Sequence, residues 1–185
     1  MQVELILNDR NLDMIEEDLH VAVRIGALRD SRLVVRRVGE VRQVLVAAPA
    51  YLARRGTPRA PADLADHEIV LSVASSGSVE WRFGPLSRGP AVRLAPRLRI
   101  NDVEAVLAAV RAGRGIARVL SYQVAQELAA GTFVRLLPAF EPPPLPVQLV
   151  LPSARQPAAK VRAFMDFAVA QFARLAVIQP HPVSP

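Results

Sequence analysis

Residues 101–117 read Asn-Asp-Val-Glu-Ala-Val-Leu-Ala-Ala-Val-Arg-Ala-Gly-Arg-Gly-Ile-Ala. Asn101 can cap the free backbone N–H groups of a helix, and Glu104 three residues on can complete a capping box. Apolar side chains then recur at helical spacing, which predicts one buried face made of Val103, Val106, Leu107 and Val110. The glycines at 113 and 115 release the chain into a short apolar strand. A helix that begins in this way tends to open onto a cleft, where its free N–H groups suit an anion.

Strands and short helices alternate on both sides of this stretch. Apolar patterning predicts a strand at 3–7, a helix at 11–17 and a strand at 20–25, which would make a parallel pair with a right-handed crossover. Residues 47–49 and the proline-rich stretch 138–146 look like two crossings between halves of the chain. The pattern therefore predicts an α/β fold in two lobes. We expect lobe one to comprise 1–48 and 147–176, lobe two to comprise 49–146, and 177–185 to be a disordered tail.

Composition excludes several classes of protein. The chain has 185 residues, of which 51% are hydrophobic and 22% charged, as in a folded soluble protein. No apolar run approaches the ~20 residues that cross a bilayer, and the first residues lack the features of an export signal. Because there is no cysteine, disulfides, thiol nucleophiles and thiolate metal sites are excluded. These features predict a cytoplasmic protein.

The net charge of +6 comes almost wholly from arginine, since Lys160 is the one lysine among 23 basic residues. Arginine suits carboxylates and phosphates. The arginines are scattered along the chain and are not interleaved with aromatic residues, which favours general surface charge over a nucleic-acid groove.

Five short segments carry a specific resemblance when taken in order. They are Asp-Leu-His-Val-Ala-Val-Arg-Ile-Gly at 18–26, Asp-Ser-Arg-Leu-Val at 30–34, Val-Ala-Ala-Pro-Ala-Tyr-Leu at 46–52, Asn-Asp-Val-Glu-Ala at 101–105 and Ser-Tyr-Gln-Val at 121–124. With the helix around 161–164, they resemble the effector-binding domain of LysR-type transcriptional regulators over residues 2–176.

The resemblance implies a domain like a type 2 periplasmic binding protein, with two α/β lobes, two crossover strands and a small effector in the cleft between the lobes. It implies a homodimer or tetramer in full-length relatives, and DNA contact through a winged helix-turn-helix. The effector would be a small anion, with a carboxylate as one candidate. No cofactor and no membrane partner are expected.

The sequence also departs from the family. The winged helix-turn-helix, and the first strand and helix of lobe one, have no counterpart in these 185 residues. We therefore expect a truncated gene product, a cut piece of a longer protein, or a chain that completes its sheet from a partner. The proline that usually follows the glycine-rich strand in relatives is replaced, giving Val-Leu-Ser at 119–121.

Candidate effector-binding residues follow from the rule that ligands meet the carboxyl ends of parallel strands. They are Arg24, Ile25, Gly26, Ala47, Ala48, Pro49, Ser72, Asn101, Asp102, Val103, Arg118 and Val119. Arg24 could clamp a carboxylate with two hydrogen bonds, or instead pair with Asp18 or Asp30. Asn101 is expected to act mainly as a helix cap. Arg118 suits an anionic ligand and a solvated surface equally well.

Other polar residues have simpler interpretations. We expect Ser75, Ser76 and Ser78 to form a mobile loop, and Trp81 to fill core space. The three histidines have no ligand spacing, so no metal site is predicted.

Three functions compete. A ligand-sensing regulatory module fits the motif order best. The alternatives are a solute-binding receptor serving a transporter, against which the lack of an export signal argues, and an enzyme. We expect no enzyme, because the chain has no nucleophile elbow, phosphate loop or zinc-protease motif. Its adjacent Glu16 and Glu17 also point apart.

Overall fold

A computed structural model describes residues 2–8, 12–28, 33–73, 78–85, 89–152 and 158–179. The chain forms two compact units: unit 1 is Met1–Val41 with Leu145–Pro185, and unit 2 is Arg42–Pro144. The chain passes between the units at 41/42 and 144/145, whereas the sequence predicts 48/49 and 146/147. The first boundary lies earlier because the strand at 43–47 pairs with strands of unit 2.

The elements alternate along the chain much as the apolar pattern indicates. The strands are β1 (Ala22–Ile25), β2 (Leu33–Val41), β3 (Gln43–Ala47), β4 (Val70–Ser72), β5 (Glu80–Arg82), β6 (Ala91–Arg93), β7 (Leu98–Ile100), β8 (Ala117–Leu120), β9 (Val134–Leu136) and β10 (Leu145–Pro152). The α-helices are α1 (Pro49–Arg55), α2 (Val103–Arg111), α3 (Ala125–Ala129) and α4 (Ala159–Phe172), and short 3-10 turns occupy Pro61–Asp66, Ser121–Val124, Pro138–Phe140 and Ala176–Ile178. None of these described helices is long and apolar enough to cross a bilayer.

Unit 1 is built on an antiparallel sheet in the order β1-β10-β2. Residue Arg24 of β1 lies opposite Gln148 of β10, and Val35 of β2 lies opposite Val150. Helix α4 packs on this sheet, and together they bury a cluster comprising Leu149, Leu151, Val161, Met165 and Ala168. Alternate inward side chains of β10 thus supply the core of unit 1.

The predicted parallel strand–helix–strand unit at the start of the chain is wrong. Residues 3–7 have no regular structure, residues 14–17 form turns, and β1 pairs antiparallel with β10 from the far end of the chain. Val3, Leu5 and Leu7 are 63%, 79% and 85% exposed, since no strand among the described residues pairs with this segment. A pairing between segments more than a hundred residues apart leaves no trace in local apolar spacing.

The predicted disordered tail is wrong in its first residues. Ala176–Ile178 forms a 3-10 turn in which Ile178 is buried. A Cβ at Gly39 would lie 2.4 Å from the Ile178 carbonyl oxygen, so the glycine in β2 permits this contact. Residues 180–185 of the predicted tail lie outside the described residues.

Unit 2 contains a mixed sheet. β3 lies between β8 and β9 and runs antiparallel to both, while β4 and β7 are parallel. A parallel bridge between Ile69 and Ile116 links these two groups of strands. The resulting strand order is β7-β4-β8-β3-β9, and β3 is antiparallel to the other four strands.

Both faces of this sheet are covered. One face carries an apolar cluster with Leu45, Leu71, Ile116, Trp81 and Phe83, the last two supplied by the β5–β6 hairpin and the residue that follows β5. The other face packs against α2 through Val106, Leu107 and Val110. Gly115 allows the chain entering β8 to approach β4, because its φ is +148° and a Cβ there would lie 2.3 Å from the Glu68 carbonyl oxygen.

Candidate functional site

Helix α2 begins one residue later than a cap at Asn101 would require. Asp102 is the N-cap: its backbone is extended, and its Oδ1 accepts a 2.8 Å hydrogen bond from the Ala105 backbone N–H. Glu104 therefore occupies the second helical position and cannot complete a capping box. The predicted cap at Asn101 is wrong because the aspartate one residue nearer the helix has the same capping ability. Asn101 is exposed on the bend between β7 and α2.

The unit 2 sheet gathers most of the predicted residues at one edge. Because β7, β4 and β8 run in the same direction, their carboxyl ends at Ile100, Ser72 and Leu120 share that edge. The Val73 N–H donates to the Ile100 carbonyl oxygen at 2.7 Å, which continues the β4–β7 pairing past Ser72. Ser72, Asn101–Val103 and the end of β8 with Arg118 and Val119 belong to this carboxyl edge.

The structure places Ala47, Ala48 and Pro49 at the opposite edge. β3 runs against β8, so Gln43 lies opposite Leu120, while Val46 lies opposite Ala117. Ala47 and Ala48 are 0% and 4% exposed, and the Ala48 carbonyl oxygen accepts hydrogen bonds from Tyr51 and Leu52 at the start of α1. Ala47 ends β3, and Ala48 and Pro49 begin α1. All three therefore lie at the edge of the sheet opposite Ser72.

Arg118 is the most unusual polar residue of the described sheet. Its guanidinium carbon lies 4.6 Å from the ring centre of Trp81 and 4.7 Å from that of Phe83, over both rings. Its Nη2 donates a 3.2 Å hydrogen bond to the Arg82 carbonyl oxygen. Each such cation–π contact contributes roughly 0.5–2 kcal/mol. Arg118 thus lies on the face of the sheet that the β5–β6 hairpin covers.

Burial lowers the pKa of Arg118 to about 10. No carboxylate among the described residues forms an ion pair with it, in contrast to Arg82, Arg111 and Arg135, which pair with Glu80, Glu127 and Glu141. Arg118 keeps its charge at neutral pH, so unit 2 holds a half-buried cation next to two aromatic rings.

In unit 1, Arg24 does not pair with Asp18. Its Nη2 donates instead to the Leu12 carbonyl oxygen, which holds the segment before β1 against the strand. Asp30, the other predicted partner, lies outside the described residues. Gly26 follows Ile25 with φ +103°; its N–H donates to the Pro146 carbonyl oxygen at 2.9 Å, and its own carbonyl oxygen accepts from Gln148 Nε2 at 2.7 Å.

Arg135 and Glu141 form a close ion pair in unit 2. Glu141, with a side chain 5% exposed, accepts hydrogen bonds from Nε and Nη2 of Arg135 at 2.6 and 2.5 Å, and this pairing raises the pKa of Arg135. Across the described ranges, no three histidine, aspartate or glutamate side chains gather as metal ligands would. Ser75 and Ser76, two of the predicted loop serines, lie outside the described residues.

Sequence reasoning missed the two rings that contact Arg118. Trp81 was expected to fill core space, and at 5% exposure it does. Phe83 stands two residues further, so a strand would place both rings on one side. Nothing in local spacing links either ring to Arg118, which lies in a different strand much further along the chain.

Comparison with known proteins places these features in a family. Residues 1–173 match the family model described as "LysR substrate binding domain". The chain is 36% identical over 166 residues to the HTH-type transcriptional regulator PtxR of Pseudomonas aeruginosa, covering 90% of this chain and 53% of that protein. It spans about half the length of the curated relatives it matches.

Solved structures agree with this match. The regulatory domain of AphB in Vibrio vulnificus superposes with a TM-score of 0.71 at 29% identity, covering 86% of this chain and 78% of that one. The structure of CrgA from Neisseria meningitidis gives 0.74 at 26% identity, covering 86% and 54%.

The fold is that of the regulatory domains of LysR-type transcriptional regulators. The chain belongs to the LysR substrate-binding domain family.

Proposed function

We propose that this chain is the effector-sensing part of a transcription regulator, and that it binds a small anion whose presence changes transcription. The observation that carries the proposal is the family match over residues 1–173, which joins both units of the chain in one known kind of regulatory domain. The names of its relatives are those of HTH-type regulators, which favours this function over a transport receptor or an enzyme.

The carboxyl edge of the unit 2 sheet supports binding of an anion there. Ser72 and the exposed Asn101 lie at this edge, and Arg118 supplies a positive charge near the end of β8. Arg24–Gly26 in unit 1 remain predicted effector contacts.

In a regulator of the relatives' length, we propose that a helix-turn-helix contacts DNA and that the protein acts as a dimer or tetramer.

A ligand screen tests the proposal. We expect some members of a library of aliphatic and aromatic carboxylates to raise the Tm of the 185-residue chain. A ligand at 100 times its Kd stabilises a protein by about 2.7 kcal/mol. Matched amides without charge serve as controls and should have little effect. A library in which no anion changes the Tm would contradict the proposal.

A further inference from the structure

Arg118, Trp81 and Phe83, here called the Arg118 cluster, bring a guanidinium over two buried aromatic rings. We propose that the Arg118 cluster binds the carboxylate of a monocarboxylic acid, and that Arg118 is its anchoring residue. This inference rests on the proposed function and names the class of effector.

The first argument is charge. Within the described residues, the only hydrogen bond of the Arg118 guanidinium goes to a backbone carbonyl, and no carboxylate faces it. The neighbouring Arg82 is already paired with Glu80 at 2.7 Å. The cluster therefore presents one uncompensated positive charge, which is costly to withdraw from water without an anionic partner. One negative charge neutralises it, whereas a dianion would leave a negative charge unpaired.

The second argument is geometry. A guanidinium that contacts aromatic rings through its face keeps its N–H groups directed outward in its own plane. Two oxygens of a planar carboxylate can accept two such parallel bonds, an arrangement roughly twice as strong as neutral hydrogen bonds. Trp81 and Phe83 are 5% and 2% exposed, so the two rings are covered and act by holding the guanidinium in place.

The third argument is that the other candidate anchors are less suitable. Arg24 already donates to the Leu12 carbonyl oxygen. The start of α2 carries the Asp102 carboxylate, whose negative charge opposes an anion at the same N–H groups. Among the described residues neither Arg24 nor Arg118 has a carboxylate partner, and each donates to a backbone carbonyl oxygen. Arg118 differs because its guanidinium lies over two aromatic rings.

The experiment measures binding to the 185-residue chain by calorimetry and by the fluorescence of Trp81, which is the only tryptophan. The probes are sodium hexanoate, the uncharged hexanamide and sodium phosphate at constant ionic strength. We expect saturable binding of hexanoate with a change in Trp81 fluorescence. Hexanamide and phosphate should bind at least about tenfold more weakly, a difference of about 1.4 kcal/mol.

Variants locate the binding. Arg118→Met keeps a long side chain without charge and should abolish hexanoate binding. Arg118→Lys keeps the charge without the paired donors and should weaken binding about tenfold or more. Arg114→Gln is the matched control, because Arg114 is exposed in the loop between α2 and β8, and this variant should bind like the wild type. If Arg118→Met does not fold, Arg118→Lys and the ligand preference of the wild type decide.

Two results overturn the inference: hexanoate binding that is unchanged in Arg118→Met or Arg118→Lys, and hexanamide or phosphate binding as tightly as hexanoate. A chain that binds another anion without Arg118 would refute the inference and leave the proposed function intact. Conversely, Arg118-dependent binding that has no effect on transcription in a full-length regulator would refute the proposed function alone.

Discussion

At the scale of single residues, the buried hydroxyl of Tyr51 has two hydrogen-bond partners, Glu68 and His67. The oxygen accepts a 2.9 Å hydrogen bond from the Glu68 N–H, so its own hydrogen is free to go to His67 Nδ1 at 3.0 Å. That geometry requires Nδ1 of His67 to be unprotonated. The contact connects α1 to the entrance of β4 and favours the neutral histidine.

His67 should therefore make the stability of the protein depend on pH. Burial lowers the pKa of His67 and the charge of Arg55 lowers it further, against the opposite effects of Asp63, Asp66 and Glu68. In the unfolded chain the histidine pKa is about 6.5. Between that value and the lowered pKa of the folded protein, the unfolded chain binds more protons than the folded one. The stabilisation is complete above about pH 6.5 and is lost as the pH falls through the lowered value.

Urea unfolding between pH 7.5 and 5.5 measures this effect. We expect the free energy of unfolding to fall with pH in the wild type and to vary less in His67→Gln. The exposed His20 provides the control, since His20→Gln should keep the wild-type dependence. Equal pH profiles for the wild type and His67→Gln would contradict the interpretation.

Arg118 shows what could be predicted about single residues and what could not. Its place near the end of a strand marked it as a candidate anion contact. Its neighbours Trp81 and Phe83 could not be predicted, because they lie far from β8 in the sequence and contact Arg118 only in the folded chain. A local pattern states which side of a strand a residue faces, but not what covers that side.

At the scale of elements, α2 follows the apolar spacing closely. The sequence predicts a helix over 102–112, and it spans Val103–Arg111 with Val106, Leu107 and Val110 buried. Only the capping residue differs, because either Asn101 or Asp102 satisfies the same local rule.

Substitutions at the start of α2 distinguish the two capping residues. Asp102→Ala removes the acceptor of the Ala105 N–H and should lower the free energy of unfolding by about 1 kcal/mol, whereas Asp102→Asn should cost less. Asn101→Ala, one residue away, should change it by less than about 0.5 kcal/mol. Chemical denaturation of the three variants measures these differences; a larger loss in Asn101→Ala than in Asp102→Ala would refute this assignment.

The elements that could not be predicted are those whose partners are distant. β10 and β2 pair over eight positions and could be found from apolar runs, yet the antiparallel pairing of β1 with β10 could not. The apolar stretch at 3–7 has the composition of a strand, but composition alone does not supply a partner.

At the scale of the whole molecule, the two apolar clusters of unit 2 lie entirely within Arg42–Pro144. The ion pair between Arg42 and Glu141, at 4.0 Å, also links the first residue of that unit to a residue near its end. Unit 1 depends instead on two separate parts of the chain.

We therefore expect residues 42–144 to fold alone. The fragment should unfold cooperatively in urea and give dispersed amide resonances. Phe133→Ala in the fragment should cost about 3–5 kcal/mol, since Phe133 is 2% exposed, while Tyr122→Ala at 40% exposure should cost far less. A fragment without a cooperative transition would show that unit 2 needs unit 1.

The distribution of two unique side chains has a practical consequence. Trp81 belongs to unit 2, and Lys160, the single lysine, lies exposed in the first turn of α4 in unit 1. A dye coupled to the Lys160 amine would accept excitation energy from the indole, with one partner in each unit. Energy transfer between them would report the separation of the two units in solution while a carboxylate is added, without any engineered cysteine.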